Sequence, residues 1–562
     1  MMLRSALIVF FSFLALYLAT AGGHLYSPDE EIMFRVTESL AVRGSLAIEP
    51  ITDAGGGTFA TRRGRNGGEY AQYGILNSLL AVPLYYAGEM AARFVPGRTA
   101  ARALDFETVN YLPARLEFEN PDAALKSYPP EIANARGAAL VKRFAVSFFG
   151  AFVAAATCAL LWRFIFVLYR ARLAEESKKD AARIAALAVI AYGAGTMAWP
   201  HARTFFSEPL AAFFVLLAFH WLNRAFTPSA TAPRTRPGLV FASGAAFALA
   251  LAARLDSLFV LPALALFFAL RYVEIRTGDL RTALDAPLRK TAVCLMTPPL
   301  RIIAAALLFA LPLVIFFVFQ LIMNYLMYGA FLSSAYADQP EGIQFTTPLL
   351  AGLYGFLFSA GKSALLFSPV IVLGLLGFKR FWRRDPALAV SSVAAILLIV
   401  LPHSMWQNWS GGWCWGPRHI FMAHMFAVLP VAGFVEDFTR ARRAGYALIV
   451  AVAAGVQLYG CSQNFIDFYY LYYQTPWKAP QAAALYSPQD AVTRVTRIGQ
   501  MTPQDNWSPI SIFQLTAPIN DSVYVPQNTQ WPRYAEMWKL GYRDNLWLRL
   551  LARAHDDEPG VK

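Results

Sequence analysis

The chain has 562 residues, 57% of them hydrophobic and only 15% charged, with a mean hydropathy of +0.41. These values exclude an ordinary soluble domain and place it among polytopic membrane proteins. The net charge of +13 would suit nucleic acid, but the basic residues sit in short links between apolar segments, so they read as topology determinants.

The first segment carries Arg4, an apolar core and Ala19-Thr20-Ala21, in the manner of a secretory signal. Many spans follow, so 5–21 is read as an uncleaved first span. Directly after it comes Ser27-Pro28-Asp29-Glu30-Glu31. A short helix follows, with Ile32, Met33, Val36 and Leu40 on one face and Gly44 at its end. Ser27 and Glu30 have capping-box spacing, and Pro28 falls at the first helical position. That leaves Asp29 without a structural task.

Apolar segments of spanning length fall near 5–21, 140–168, 184–200, 207–223, 238–254, 256–271, 302–323, 363–379, 387–403, 419–436 and 444–460, about eleven in all. The stretch 74–92 is ambiguous. If it does not span, then in the links between the later spans, leaving out the large first loop and the tail, twenty-one Lys and Arg fall on one side, against Arg203, Arg254, Lys362 and Arg418 on the other. The positive-inside rule then makes 22–139 a single extracytoplasmic loop, with 74–92 at the membrane surface.

Within that loop, Gly55-Gly56-Gly57 and Gly67-Gly68 mark turns and match no P-loop. Residues 105–135 read as a Pro-rich ordered insertion. Lys142 and Arg143 open the second span on the outer side, against the charge rule; they either snorkel or bind an anion. Arg254-Leu255-Asp256 reads as a local ion pair at a helix break. The outer links also hold Trp199-Pro200-His201-Ala202-Arg203, Phe206-Ser207-Glu208-Pro209, Gly361-Lys362-Ser363 and Trp406 to His419, WQNWSGGWCWGPRH. Residues 461–562 form an outer tail or small domain, opening with Phe468, Tyr469, Tyr470, Tyr472 and Tyr473. Cys158, Cys294, Cys414 and Cys461 make no metal spacing; a disulfide between Cys414 and Cys461 stays open.

The unusual polar residues, Asp29, Glu30, Arg203, Glu208, Lys362, Arg418 and His419, all fall on the outer side. Charges at span ends are costly and often functional. A carboxylate can take a proton from an attacking hydroxyl, and cations can neutralise a phosphate leaving group. Each has a plain alternative: Arg203 and Arg418 as headgroup anchors, the tryptophans as an interfacial belt, Glu208 as a helix start.

A first span followed at once by Asp29-Glu30 on a juxtamembrane helix resembles the GT-C superfamily of integral membrane glycosyltransferases. TMAWPHARTFFSEPLAA, SAGKSALLFSPV and WSGGWCWGPRHIF are similar to features of its branch with protein O-mannosyltransferases and lipid A aminoarabinose transferases. The likeness covers residues 1–460. It implies an all-α polytopic membrane protein, a GT-C-like bundle of about 11 transmembrane helices in the inner (cytoplasmic) membrane, with its active site outside. It implies a polyprenyl-phosphate sugar donor, inversion at the anomeric carbon, and an extracytoplasmic glycan, lipid or protein acceptor. Asp29 would be the base, with Glu30 beside it. Arg143, Arg203, Lys362, Arg418 and His419 would serve the donor phosphate, and Tyr73, Glu208, Trp413 and Trp415 would line the pocket. Some relatives use a divalent metal, for which Asp29 and Glu208 are the candidates. No His-Pro-Pro follows the juxtamembrane helix, unlike in the mannosyltransferases. The competing class is a transporter or flippase of a lipid-linked anion, although no inverted, Gly/Pro-broken halves are evident.

Overall fold

The computed structural model describes residues 2–52, 58–104, 130–173, 180–226, 236–277, 300–335, 344–466, 468, 522–539, 543–548 and 550. The Gly55–Gly57 turn, most of the 105–135 insertion, Cys294 and Tyr469 to Tyr473 lie outside the described residues.

Helix α1 is Met2–Ala19 and α2 is Pro28–Arg43. Five short strands follow: β1 (Ala47–Ile48), β2 (Ile51–Thr52), β3 (Thr58–Phe59), β4 (Thr61–Arg63) and β5 (Glu69–Ala71). Next come α3 (Ile75–Ala92), α4 (Gly97–Leu104), α5 (Pro130–Ser147), α6 (Phe149–Arg172), α7 (Ala181–Gly195), α8 (Ala198–His201), α9 (Glu208–Ala225) and α10 (Pro237–Ala253). The remainder are α11 (Leu261–Thr277), α12 (Leu300–Tyr328), α13 (Leu349–Phe358), α14 (Ala364–Phe367), α15 (Ile371–Arg384), α16 (Pro386–Met405), α17 (Phe421–Val428), α18 (Val431–Glu436), α19 (Arg440–Gly460) and α20 (Gln530–Lys539).

The chain is an all-α polytopic membrane protein, and each expected span coincides with a helix or a helix pair. Six helical stretches are long and apolar enough to cross a bilayer, and 3–19, 181–195, 237–253 and 349–358 are shorter apolar helices. The segment 363–379 is a correction: Ser368-Pro369 splits it into α14 and α15. Proline has no N–H to donate and disfavours a helical residue before it, and Ser368 sits at φ −146°, ψ 67°. Helix α12 has only 22% of its apolar window buried, against 89% for 418–436. Leu307, Leu311, Val314, Ile315 and Ile322 point outward from it, as on a lipid-facing helix.

Capping fixes α2. Ser27 Oγ accepts from the Glu30 N–H, Pro28 opens the first turn, and Gly44 at φ 61° ends the helix with its N–H on the Leu40 and Ser39 carbonyls. The Glu30 carboxylate reaches the Tyr26 N–H at 2.8 Å, one residue further back than a capping box requires. Ile32 and Val36 pack under Ile48 and Ala60 of the loop's small antiparallel sheet, order β1-β5-β4. Met33 and Phe34 face the helix bundle. The sheet itself docks on the end of α12: Arg62 donates to Ser333 and, at 2.8 Å, to the Ser334 carbonyl, and lies 4.7 Å over the Tyr328 ring.

Polar networks mark both bundle ends. At the end away from α2, Arg271 pairs with Asp385 and Glu274 and donates to Asn223, while Arg384 pairs with Glu436. At the α2 end, the tail packs back onto the bundle. Asp544, 2% exposed, accepts from His24 at 2.8 Å, from Tyr26 at 2.9 Å and from Arg203. Trp531 and Tyr534 of α20 stack with Tyr459 and Trp415. Cys158, Cys414 and Cys461 are free thiols, so no Cys414–Cys461 disulfide forms.

Candidate active site at the α2 end

Asp29 stands in the first turn of α2, where a carboxylate favours the helix dipole. It accepts two hydrogen bonds, one per oxygen: Tyr73 Oη at 2.8 Å and Arg418 Nη1 at 2.9 Å. The Asp29 and Arg418 side chains are 17% and 14% exposed, so the pair is partly open to solvent.

Tyr73 is placed by a close approach. A Cβ on Gly74 would lie 2.4 Å from the Ala253 carbonyl oxygen, so only glycine lets this turn press against the end of α10. Arg418 is placed by the loop before it. Gly411, Gly412 and Gly416 adopt φ of 77°, 64° and 69°, which turns the carbonyls of Gly412, Cys414 and Gly416 onto Lys362 Nζ at 3.0–3.1 Å. Cys414 Sγ completes the set at 3.3 Å. Burial pushes the Lys362 ammonium below its ordinary range, with Cys414 opposing. Lys362 therefore holds the loop, and its hydrogen-bonding capacity is already engaged.

Beside the pair lies a second ring of charge. Arg254 Nη1 is 2.9 Å from Glu208, and its Nε donates to Asp256 at 2.7 Å. Its Nη2 is 3.3 Å from His419 Nδ1, and His403 Nε2 is 3.3 Å from Asp256. The His419 ring is stacked against Trp406 at 4.9 Å and His403 at 5.6 Å. Arg418 is also attracted by Glu208, so both rings meet at 418–419.

Glu30 and Glu31 take other roles. Glu30 is fully buried, and burial pushes its carboxyl up to about 8 against the opposing backbone amides of Tyr26 and Phe205. It is neutral at pH 7 next to Asp29. Burial raises Glu31 too, but Arg143 and Arg35 outweigh it and hold the carboxyl below its ordinary range. Arg143 grips Glu31 through two hydrogen bonds of 3.0 and 2.7 Å, and Lys142 reaches Glu38 at 3.1 Å. The charge-rule violation at 142–143 is thus neutralised by α2.

The structure brings together Asp29, Tyr73, Arg418, His419 and Glu208. It does not bring Arg143 or Arg203 to them: Arg143 belongs to Glu31, and Arg203 belongs to Asp544 and the Cys461 carbonyl. Trp415 sits in the aromatic core with Tyr534, and Trp413 is also buried. Sequence reasoning missed His403 as a site neighbour and Asp544 as the partner of Arg203. It saw Arg254 and Asp256 only as a helix-break pair. A buried divalent metal does not fit Asp29 and Glu208: among the described residues no third His, Cys, Asp or Glu joins them, and Arg418 lies by both.

No family model and no curated protein matches the chain. Among solved structures, ArnT from Cupriavidus metallidurans bound to undecaprenyl phosphate is similar at 13% identity, over 88% of this chain and 69% of that one, with a TM-score of 0.43. Its apo state gives 12% identity over 93% and 78%, TM-score 0.44. The apo oligosaccharyltransferase of Archaeoglobus fulgidus gives 13% identity over 90% and 61%, TM-score 0.40. At these identities and TM-scores the likeness carries no argument about this chain.

Proposed function

We propose that this protein transfers a monosaccharide from a polyprenyl-phosphate donor to a hydroxyl on an extracytoplasmic acceptor, with inversion. The observation that carries the reading is the partly exposed Asp29–Arg418 pair, beside a fully buried and neutral Glu30. A phosphate would compete with Asp29 for the Arg418 guanidinium, which offers a fork suited to it. Once displaced, the Asp29 carboxylate accepts the proton of the acceptor hydroxyl. The hydroxyl oxygen forms its bond to the anomeric carbon from the face opposite the phosphate. The carbon–phosphate-oxygen bond breaks, and polyprenyl phosphate leaves with the electron pair, its charge met by Arg418. No protein nucleophile is needed, only orientation, a base and a cation.

Glu30 keeps a second negative charge away from Asp29 at neutral pH, and Lys362 positions Arg418 through the glycine loop. The reading places the α2 end outside the cell, in keeping with the 21-to-4 distribution of Lys and Arg over the links between the later spans. The test incubates purified protein with radiolabelled polyprenyl-phosphate sugars and membrane extract. Transfer of label to an acceptor supports the reading. Movement of intact lipid-linked sugar across liposomes, with no transfer, would instead make the protein a transporter.

A further inference from the structure

Glu208, Arg254, Asp256, His403 and His419 form a continuous network next to Asp29, yet the proposed phosphate and proton steps use none of them. Two of its buried polar atoms have neither a hydrogen bond nor an ion pair among the described residues: Asp256 Oδ1 and His419 Nε2. The Asp256 side chain is 12% exposed and His419 is 7% exposed, so water does not freely satisfy them. Glu208 Oε1 is taken up by Arg254 Nη1 at 2.9 Å. Buried polar groups are normally paired, and two unpaired ones on residues held by the same arginine call for a polar ligand.

The chemistry of the two atoms identifies the ligand class. Asp256 Oδ1 is a carboxylate oxygen, which accepts only; His419 Nδ1 accepts from Arg254, so Nε2 carries the ring proton and donates. Carboxylates repel a phosphate. They suit hydroxyl groups, which donate to them. The flat face of Trp406, half-buried against His419, adds the apolar surface that a pyranose ring covers. Arg418 and His419 are consecutive in one short turn, so a group held by Arg418 and a group read by His419 are neighbours on one ligand.

We infer that this network is the hydroxyl-reading subsite for the donor's sugar ring, with Asp256 and His419 as specificity-determining residues. The inference rests on the donor reading above and deepens it. Arg254 orients Asp256 and Glu208 at once, and the His403–His419–Trp406 stack fixes the plane of the reading imidazole. A site built to bond a hydroxyl discriminates strongly against an analogue lacking it, because its buried groups are then left unpaired.

The experiment measures binding to the purified protein of sugar-free undecaprenyl phosphate, of undecaprenyl-phosphate hexoses and pentoses, and of their monodeoxy analogues. In the wild type, the best sugar donor is expected to bind at least about tenfold tighter than undecaprenyl phosphate. Removing one hydroxyl is expected to forfeit about tenfold, the value of one such hydrogen bond. In Asp256→Asn and His419→Gln, that deoxy penalty shrinks to under about threefold while undecaprenyl phosphate binds as before. Wild-type binding that ignores every hydroxyl would overturn the inference and leave the donor reading standing. So would an equal loss for undecaprenyl phosphate in both variants. Failure of the wild type to bind any undecaprenyl phosphate overturns the donor reading, and the subsite with it.

Discussion

Replacing Asp29 by Asn separates catalysis from architecture. Asparagine keeps the size and one acceptor oxygen but cannot take a proton from a hydroxyl. Deleting one partner of a buried ion pair costs about 3–5 kcal/mol. Here the cost is expected to be smaller, because Asn still accepts from Tyr73 or Arg418 and Glu208 still attracts Arg418. The remaining loss is the difference between a charged and a neutral hydrogen bond, about 1–2 kcal/mol. Turnover is expected to fall by about 10²–10⁴, the value of a general base, equivalent to ~3–5 kcal/mol of barrier. Binding of undecaprenyl phosphate is expected to hold or tighten, since the phosphate no longer displaces a carboxylate from Arg418. The assay pairs single-turnover label transfer with thermal unfolding and a binding isotherm. Turnover within tenfold of wild type at saturating donor would refute the assignment and leave Asp29 as a helix-end ion pair.

Glu30 carries a pH signature. Its carboxyl is raised in the fold, so the folded state keeps a proton that the unfolded chain loses between about pH 4.5 and 8. Stability is therefore expected to fall as pH rises through that window, by on the order of 4 kcal/mol. Glu30→Gln, which keeps an acceptor for the Tyr26 N–H, is expected to flatten the trend in denaturation measured from pH 5 to pH 9. Glu31→Gln strands Arg143 and Arg35; it is expected to cost about 3–5 kcal/mol, readable as a lowered unfolding temperature, with Glu31→Leu/Arg143→Met recovering part of it. Lys362→Met removes the ammonium from three carbonyls; it is expected to weaken undecaprenyl phosphate binding about tenfold or more through Arg418, and Lys362→Arg is expected not to restore it, since a planar fork does not fit a three-carbonyl cage. A cysteine placed at Asn66 is expected to react with an impermeant thiol reagent from outside, and one at Lys379 only after permeabilisation; the reverse pattern overturns the orientation.

Much of the fold was legible because a bilayer imposes one length and one polarity on every span. Each apolar run falls on a helix or a helix pair, six of the described stretches being long enough to cross a bilayer, and Ser27, Pro28 and Gly44 bounded α2. The Ser368-Pro369 break inside an apolar run was available from proline chemistry but was overridden by length. The small sheet was not legible, since strands of two or three residues carry no period. In the site, Asp29 and Arg418 could be found because each is a charge at a span end with no local partner. Arg143 and Arg203 look the same in sequence, and only folding shows that Glu31 and Asp544 claim them. Nothing local distinguishes a cation with a distant carboxylate from one that waits for a ligand.

The Asp544 contact has a consequence for how the molecule is made. His24 is bonded to a residue 520 positions later. Translation at about 5–20 residues per second separates the two by roughly half a minute to two minutes. Throughout that interval His24 and Tyr26, and from its own synthesis onward Arg203, must wait without the carboxylate they share. The core around Tyr26 and Arg203 is therefore sealed last, when Asp544 arrives. Until then a nascent chain carries an unsatisfied arginine beside an open aromatic cluster, and that contact separates a finished molecule from an unfinished one.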